Sequence, residues 1–502
     1  MSLGMQKSEI YDEFIQRGQY YKNIFNPNSG FMQSKMYGGW RSGFDPAEVN
    51  FNFTEANSWQ YSMFVPQDIK GLIELHGGAE NFEKKLDELF TTKMELSGRH
   101  QSDITGLIGQ YAHGNEPSHH MAYLYNYVGK PYKTQERIHQ ILNEQYTTQP
   151  DGLSGNEDCG QMSAWFVLSA MGFYAVTPGL NYYSIGTPLF DEVTINLENG
   201  KQFKVIANNV SNENKYIQSA TINSKKLESA VLYHEEIMEG GELVFEMGLE
   251  PNKEWGAKYM PTTDIANTEQ ITPVPYFTTS SQTFEDKVEI GLSSVIKDAE
   301  IFYKVEDEFI KYKGPFEINE TLQIEAYAVI NEKRSFVVKA DYKKIIGGRS
   351  IQILSEYDNQ YNAGGDKALI DHLKGSANFR TGFWQGYYGK DVEVIVDLGK
   401  VTTIDKISVG ALQDIKSWIF YPPEIKLEGS DNGTGFSPLA VIKNDFPDNE
   451  YGAFIKEFEF VPTSKVQYRY IKVKVNNYGV CPEWHMGNGG DTWLFLDEIT
   501  VE

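Results

Sequence analysis

Gly155-Asn156-Glu157-Asp158-Cys159-Gly160-Gln161-Met162-Ser163-Ala164-Trp165 sets two acids and an amide on a glycine-bounded turn. An apolar run with helical spacing follows directly: Met162, Trp165, Phe166, Phe173. Carboxylates at a helix N-terminus face its positive end and its free N–H groups, which favour the ionised form. A carboxylate held ionised can act as a general base or a metal ligand. It can equally be a plain helix cap, and on this stretch alone both readings of Asp158 stay open.

Working upstream, Glu55 lies among Phe51, Phe53, Trp59 and Tyr61. A carboxyl in apolar, aromatic surroundings has its pKa raised, as a general acid near neutral pH requires. Two carboxyls pushed in opposite directions make an acid/base pair, and glycoside hydrolysis is a common chemistry built on one. The plain alternative is a solvated Glu55 on the first turn of a helix. Between the two lies Asn115-Glu116-Pro117-Ser118-His119-His120. The oxygens of Asn115 and Glu116, with Asn156, suit a hard cation such as calcium. Adjacent histidines point to different faces of a helix and no His-Glu-x-x-His is present, which argues against zinc. Hydrogen-bonded, partly buried histidines are the alternative to a catalytic role.

The chain of 502 residues is too long for one core, so three or four domains are expected. A net charge of −24 argues against nucleic acid or anionic membrane as the main partner. Aromatics make up 14% of the chain, a load that suits β-rich domains and the apolar faces of sugar rings. Cys159 and Cys481 lack metal spacing and exclude a disulfide framework. No apolar run reaches transmembrane length, so an integral membrane protein is not expected. Met1-Ser2-Leu3-Gly4 before Met5 looks like an expression leader.

Residues 5–178 read as helical. Phe82, Leu86, Leu89 and Phe90 fall on one face, and Ile138, Ile141 and Leu142 follow Thr134, which reads as an N-cap. Pro117 suits the first turn of a helix carrying Met121, Leu124, Tyr125 and Val128. Helices joined by polar-aromatic loops suggest part of a helical toroid. Over 179–258 the period becomes two, with Asn199-Gly200 as a hairpin turn. Pro261, Pro273 and Pro275 mark a linker, 276–344 a small β-sandwich, and 349–502 a larger jelly-roll sandwich.

The order Phe53-Thr54-Glu55-Ala56-Asn57-Ser58-Trp59-Gln60-Tyr61, Gly114-Asn115-Glu116-Pro117-Ser118-His119-His120, the 155–165 stretch and Thr177-Pro178-Gly179 resembles glycoside hydrolase family 92, over roughly residues 8–256. That resemblance implies a calcium-dependent, inverting exo-α-mannosidase acting on mannose-containing glycans, α-1,2 being the family's default linkage. It implies Glu55 as general acid and Asp158 as general base, with Asn156 beside the base, and carboxyls roughly 6.5–9.5 Å apart. It further implies Asn115 and Glu116 near a calcium ion, with Trp40, Trp59, Gln60, His119, His120 and Glu157 lining the substrate. Family members carry an N-terminal β-sandwich and a complete (α/α)6 barrel. The chain is therefore expected to be a fragment holding the later part of that barrel, with 179–258 as strands returning to the sandwich. A secreted, periplasmic or cell-surface setting is the family's implication too.

Residues 276–344, with Tyr312-Lys313-Gly314-Pro315-Phe316, resemble the Ig-like module at the C-termini of bacterial hexosaminidases. Residues 349–502 resemble the discoidin, or coagulation factor 5/8 type C, domain, also carbohydrate-binding module family 32. Leu369-Ile370-Asp371, Thr381-Gly382-Phe383-Trp384, Val396-Asp397-Leu398-Gly399, Leu427-Glu428-Gly429-Ser430-Asp431-Asn432-Gly433 and Leu496-Asp497-Glu498-Ile499 carry it. Asp371 and Glu498 then match a structural calcium site. Tyr387, Tyr388, Trp418 and Trp484 are candidate sugar-stacking aromatics, whereas Trp384 and Trp493 read as core. The expected architecture is multidomain α + β: a partial (α/α)6 toroid, then all-β modules ending in a discoidin-type jelly roll. The competing expectation is a catalytically incomplete remnant whose working part is a glycan-binding module.

Overall fold

The computed structural model describes Ser2, 4–279, 281–345 and 347–502. Met1 and Leu3 of the expected leader, and Ser280 of the small sandwich, lie outside the described residues.

The first region is built from six α-helices: α1 (Ser8–Arg17), α2 (Ser58–Met63), α3 (Ile69–Leu75), α4 (Ala79–Thr91), α5 (Pro131–Glu144) and α6 (Gln161–Ala170). Phe82, Leu86, Leu89 and Phe90 are all buried, so α4 turns to the core the face its spacing predicts. Helix α5 starts earlier than expected. Pro131 occupies its first turn, where a missing N–H is harmless, and Thr134 is buried inside the helix rather than capping it. After Pro117 the chain forms two 3-10 segments, Glu116–Ser118 and Met121–Val128, in place of an α-helix. Every residue of the second is buried, so packing on all sides fixes it rather than one apolar stripe.

Strands Glu192–Asn196 and Gln202–Asn208 pair antiparallel across Asn199-Gly200, with Gly200 at φ +80° as a tight hairpin turn demands. They join Gly241–Gly248, Tyr216–Ile222 and Lys225–Lys226 in a five-stranded sheet. The linker after residue 258 is strapped to the helices: Gln19 Nε2 donates to the Glu269 carbonyl (2.9 Å) and Lys22 Nζ to Gln270 Oε1 (2.6 Å). The small sandwich centres on Leu322–Ile330, paired with Glu300–Lys304 and Val338–Lys344. It is not free-standing, because Phe277 pairs with Gly39 of the helical region in one small sheet.

The C-terminal module stacks two antiparallel sheets. One runs Ser350–Ile353, Val392–Ile404, Val466–Val475, Glu424–Ser430, Ser437–Lys443, and the other Gln385–Tyr388, Trp493–Val501, Ile407–Asp414, Ala453–Phe460. Alternation supplies the core: Val392, Val394 and Val396 point inward with Ile471 and Val473.

Candidate active site

Glu55 sits on a turn just before α2. Asn57 begins that helix in a capping box: its Oδ1 accepts from Trp59 N (3.0 Å), and Gln60 Oε1 accepts from Asn57 N (3.0 Å). Gln60 is thus consumed by structure, and its Nε2 donates to the Gln110 carbonyl. Trp59 is 1% exposed and packs edge-on against Phe31, with Lys85 Nζ over its ring at 4.3 Å. Both side chains, expected to line the substrate, are instead buried in the helical region. Five of the six residues of this short helix are buried, so its neighbours enclose it on nearly every side.

The second carboxyl-bearing turn ends in an unusual backbone. Asp158, Cys159 and Gly160 all have positive φ (52°, 57° and 94°), a conformation costly for the first two. That coil frees Asp158 from capping. Glu157 caps the first turn of α6 instead, accepting from Ser163 N (3.1 Å) and Ser163 Oγ (2.9 Å). Asp158 is left exposed to solvent. Asn156 Nδ2 donates to Asp103 Oδ1 (3.2 Å), tying this turn to the 99–106 loop.

Glu116 brings the three motifs together. Burial raises its pKa, and the Asp158 carboxyl, within hydrogen-bond reach, and the Glu55 carboxyl raise it further. Glu116, expected as a metal ligand, thus has its protonation made easier by this surrounding. Tyr61 borders the same group: burial raises its pKa first, and Glu55 and Glu116 add to it. Gln161 Nε2 reaches His119 Nδ1 (3.3 Å) and Tyr174 OH (3.4 Å) on another side. From sequence Tyr61 stands out only as an aromatic neighbour of Glu55, and Gln161 and Tyr174 do not stand out as site residues. The first two stand inside the quoted motifs, and only Tyr174 carries no local signal.

His119 and His120 are buried, and their Nε2 atoms lie 2.9 Å from the His113 and Met63 carbonyls. Burial pushes both down to about 4, and His113 well below its ordinary value. Between about pH 6.5 and 4 the unfolded chain binds protons that the folded one refuses, so stability falls as pH drops through that window. The midpoint of thermal unfolding of the helical region is expected to fall across it, and His120→Gln to flatten the slope. A midpoint that does not move between pH 6.5 and 4 would contradict this assignment.

Trp40 packs on Tyr276 (5.1 Å), with Lys35 Nζ over its ring at 4.4 Å, and so belongs to the junction with the small sandwich.

The C-terminal aromatics divide. Tyr387 is fully buried with its hydroxyl on Gln385 Oε1 (2.6 Å), which rules out sugar stacking. Trp418 is half-buried, with Gly487 and Gly490 packed against its ring. Tyr388 and Trp484 are exposed, at 41% and 44%. Trp384 is core as expected, and Trp493 is half-buried against Tyr361 and Phe495.

Two pairs of carboxyls bear on calcium. Among the described residues no three His, Cys, Asp or Glu side chains gather closely enough to hold a metal by themselves. The Glu116–Asp158 pair nevertheless fits a hard cation in chemistry, being two mutually repelling carboxyls. In the C-terminal module, burial pushes Asp371 up to about 7 and Glu498 up to about 8, each also facing acidic neighbours. Glu498 Oε2 accepts from His372 N (2.7 Å), and Asp371 Oδ1 from Leu373 N (2.8 Å). Glu498 Oε1 is buried with no hydrogen-bond partner among the described residues. An orphaned buried carboxylate oxygen beside another acid fits a cation ligand.

The helical region gathers three carboxyls from separate motifs, and a discoidin-type sandwich closes the chain. Residues 1–249 match the glycosyl hydrolase family 92 catalytic domain, and residues 350–490 the F5/8 type C domain. The first half of the chain belongs to glycosyl hydrolase family 92, and the C-terminal module is an F5/8 type C domain. An uncharacterized secreted glycosidase of Arthroderma benhamiae is 30% identical over 281 residues, 51% of this chain and 34% of that protein. A family GH92 alpha-mannosidase of Bacteroides thetaiotaomicron is 38% identical over 52% of this chain and 35% of its own, with a TM-score of 0.49. A family GH92 inverting mannosidase of the same species is 37% identical over 52% of this chain and 37% of its own, with a TM-score of 0.47. The chain thus spans about a third of the length of the relatives it matches. Among the described residues no helix is long and apolar enough to cross a membrane.

Proposed function

We propose that this chain carries the acid/base half of a secreted, inverting exo-α-mannosidase that releases terminal α-linked mannose, α-1,2 in the first instance, from glycans. The observation that carries the reading is the neighbourhood shared by Glu55, Glu116 and Asp158, which come from three separate motifs. Glu55 protonates the leaving oxygen. Asp158, solvent-exposed, deprotonates the attacking water on the opposite face of the ring. Asn115 and Glu116, with Asn156 nearby, are the groups that would hold a calcium ion, which would supply Lewis-acid charge at the sugar hydroxyls. Mannose as the sugar is what the four-motif resemblance implies, and two solved members of the family are named as mannosidases.

The test is mannose release from α-linked mannobioses, with and without chelation, followed by NMR at early times. Early β-mannose is expected, and α-mannose as first product would overturn inversion. No release from this chain, with intact binding of mannosides to the C-terminal module, would favour the remnant reading, for which the exposed Tyr388 and Trp484 speak.

Asp371 and Glu498 would hold a second, structural calcium. Saturating calcium at about 100 times its Kd is expected to stabilise the C-terminal module by ~2.7 kcal/mol. EDTA should reverse the shift and Glu498→Gln should abolish it, as read by differential scanning calorimetry of the whole chain. Identical midpoints with calcium and EDTA would refute the site.

A further inference from the structure

The Glu55 turn, residues 50–57, has no secondary structure of its own, and its two ends are held differently. At the far end, buried Asn57 donates from Nδ2 to the Ala47 carbonyl (3.2 Å) and Gln110 Oε1 (3.0 Å), anchoring the turn within the helical region. At the near end the contacts come from the C-terminal module, some 300 residues away in sequence. Tyr361 stacks on Phe51 with ring centres 6.1 Å apart and planes 28° apart. Arg99 lies over the same Phe51 ring at 4.4 Å, and its Nη2 donates to the Thr54 carbonyl (3.3 Å), one residue before Glu55.

Polar contacts run beside this stack. Arg41 donates from Nη2 to the Gln360 carbonyl (3.2 Å) and from Nη1 to Asn52 Oδ1 (3.5 Å). Asn359 Nδ2 donates to Glu48 Oε1 (3.3 Å), while Glu48 Oε2 accepts from Asn50 Nδ2 (3.1 Å) and Asn50 Oδ1 from Asn52 N (2.9 Å). Tyr361 is itself wedged among Phe379, Trp493 and Phe495, with ring centres 5.9, 5.2 and 4.7 Å away. The turn is thus braced against a ring fixed in the core of another domain.

We propose that residues 359–361 of the F5/8 type C domain are positioning residues for Glu55, so that this domain sets the geometry of the protonation step as well as any sugar contact of its own. The inference rests on the reading of Glu55 as general acid. Misplacing a catalytic group by about 1 Å is worth up to ~10²-fold in rate. A brace that restrains one end of an eight-residue turn acts within that range.

The test uses the full chain and two variants. Asn359→Asp sets a carboxylate against Glu48 at an exposed position that neither core needs, and Tyr361→Ala removes the stacked ring. Hydrogen exchange over 48–57 is expected to speed up roughly 10-fold in both. In Asn359→Asp, strands Val392–Ile404 and Val466–Val475 keep their protection. Glu48→Gln added to Asn359→Asp restores the hydrogen bond with reversed polarity and should restore slow exchange. In the kinetic arm, Asn359→Asp should lower kcat on mannobiose about 10-fold without changing KM. The loss should shrink on 4-nitrophenyl α-mannoside, whose leaving group needs little protonation. Unchanged exchange over 48–57 in both variants overturns the proposal. So does an equal kcat loss on both substrates, which would mark a general structural defect. If the parent chain releases no mannose, the mannosidase reading fails on its own, and the exchange arm still decides whether the C-terminal domain braces the turn.

Discussion

Asp158→Asn is expected to lower kcat/KM about 10²–10⁴-fold on every α-mannoside the chain hydrolyses, and Glu55→Gln by a similar factor only on substrates with poor leaving groups. The asymmetry follows from what each carboxyl does. Without its base, water attacks slowly whatever it displaces. Without its acid, the leaving oxygen departs unprotonated, which a mannobiose tolerates badly and a nitrophenolate tolerates well. Steady-state kinetics on the two substrates with each variant makes the check. A loss in Asp158→Asn that depends on the leaving group would reassign the base. Glu116, which lies within hydrogen-bond reach of Asp158, is then the next carboxyl to test.

What the sequence reveals of this site follows the physics of each signal. Periodicity is local, so the buried face of α4 and the alternation of Val392, Val394 and Val396 are legible. The Asn199-Gly200 hairpin is legible because two-residue turns need positive φ. Roles that depend on backbone twist are not. Glu157 and Asp158 are adjacent acids before one helix, and only the left-handed run through Asp158, Cys159 and Gly160 decides that Glu157 caps it. Nor does a motif separate residues that touch a ligand from those that build the loop. Trp59 and Gln60 stand four and five positions after Glu55, yet one is core and the other half of a capping box. Tyr387 misleads for a third reason. Residues 385–387 are buried consecutively because Gly386 packs against Tyr361 and Phe495, so strand alternation fails there. Contacts between Tyr361 and Phe51 have no local trace at all.

Asp68→Ala is expected to destabilise the helical region by about 3–5 kcal/mol at pH 7, because it strands a buried ammonium. Asp68 and Lys22 are 1% and 8% exposed at the side chain, with Lys22 Nζ 3.5 Å from Asp68 Oδ2. The same carboxylate caps α3 by accepting from Gly71 N (3.1 Å), and it accepts from Tyr21 OH (2.9 Å). Lys22 also donates to Gln19 Oε1 (3.0 Å) and Gln270 Oε1 (2.6 Å), so the network fastens the interdomain linker to the helices. Burial lowers the Lys22 pKa, and Asp68 opposes that shift. Between its folded pKa and 10.5 the unfolded chain binds more protons than the folded one, so stability attributable to Lys22 rises with pH through that window. Removing Asp68 lowers the folded pKa further and widens the window, so the deficit of Asp68→Ala should narrow as pH rises from 7 to 9.5. Asp68→Asn keeps an oxygen for the cap and isolates the charge, leaving the cap's share, about 0.5–2 kcal/mol, as the difference between the two variants. Urea unfolding followed by the helical circular dichroism signal reads all three proteins, since the C-terminal modules are built of strands. A deficit below about 1 kcal/mol at pH 7, or one as large at pH 9.5 as at pH 7, would show that the ammonium finds its stabilisation in Gln19 and Gln270 alone.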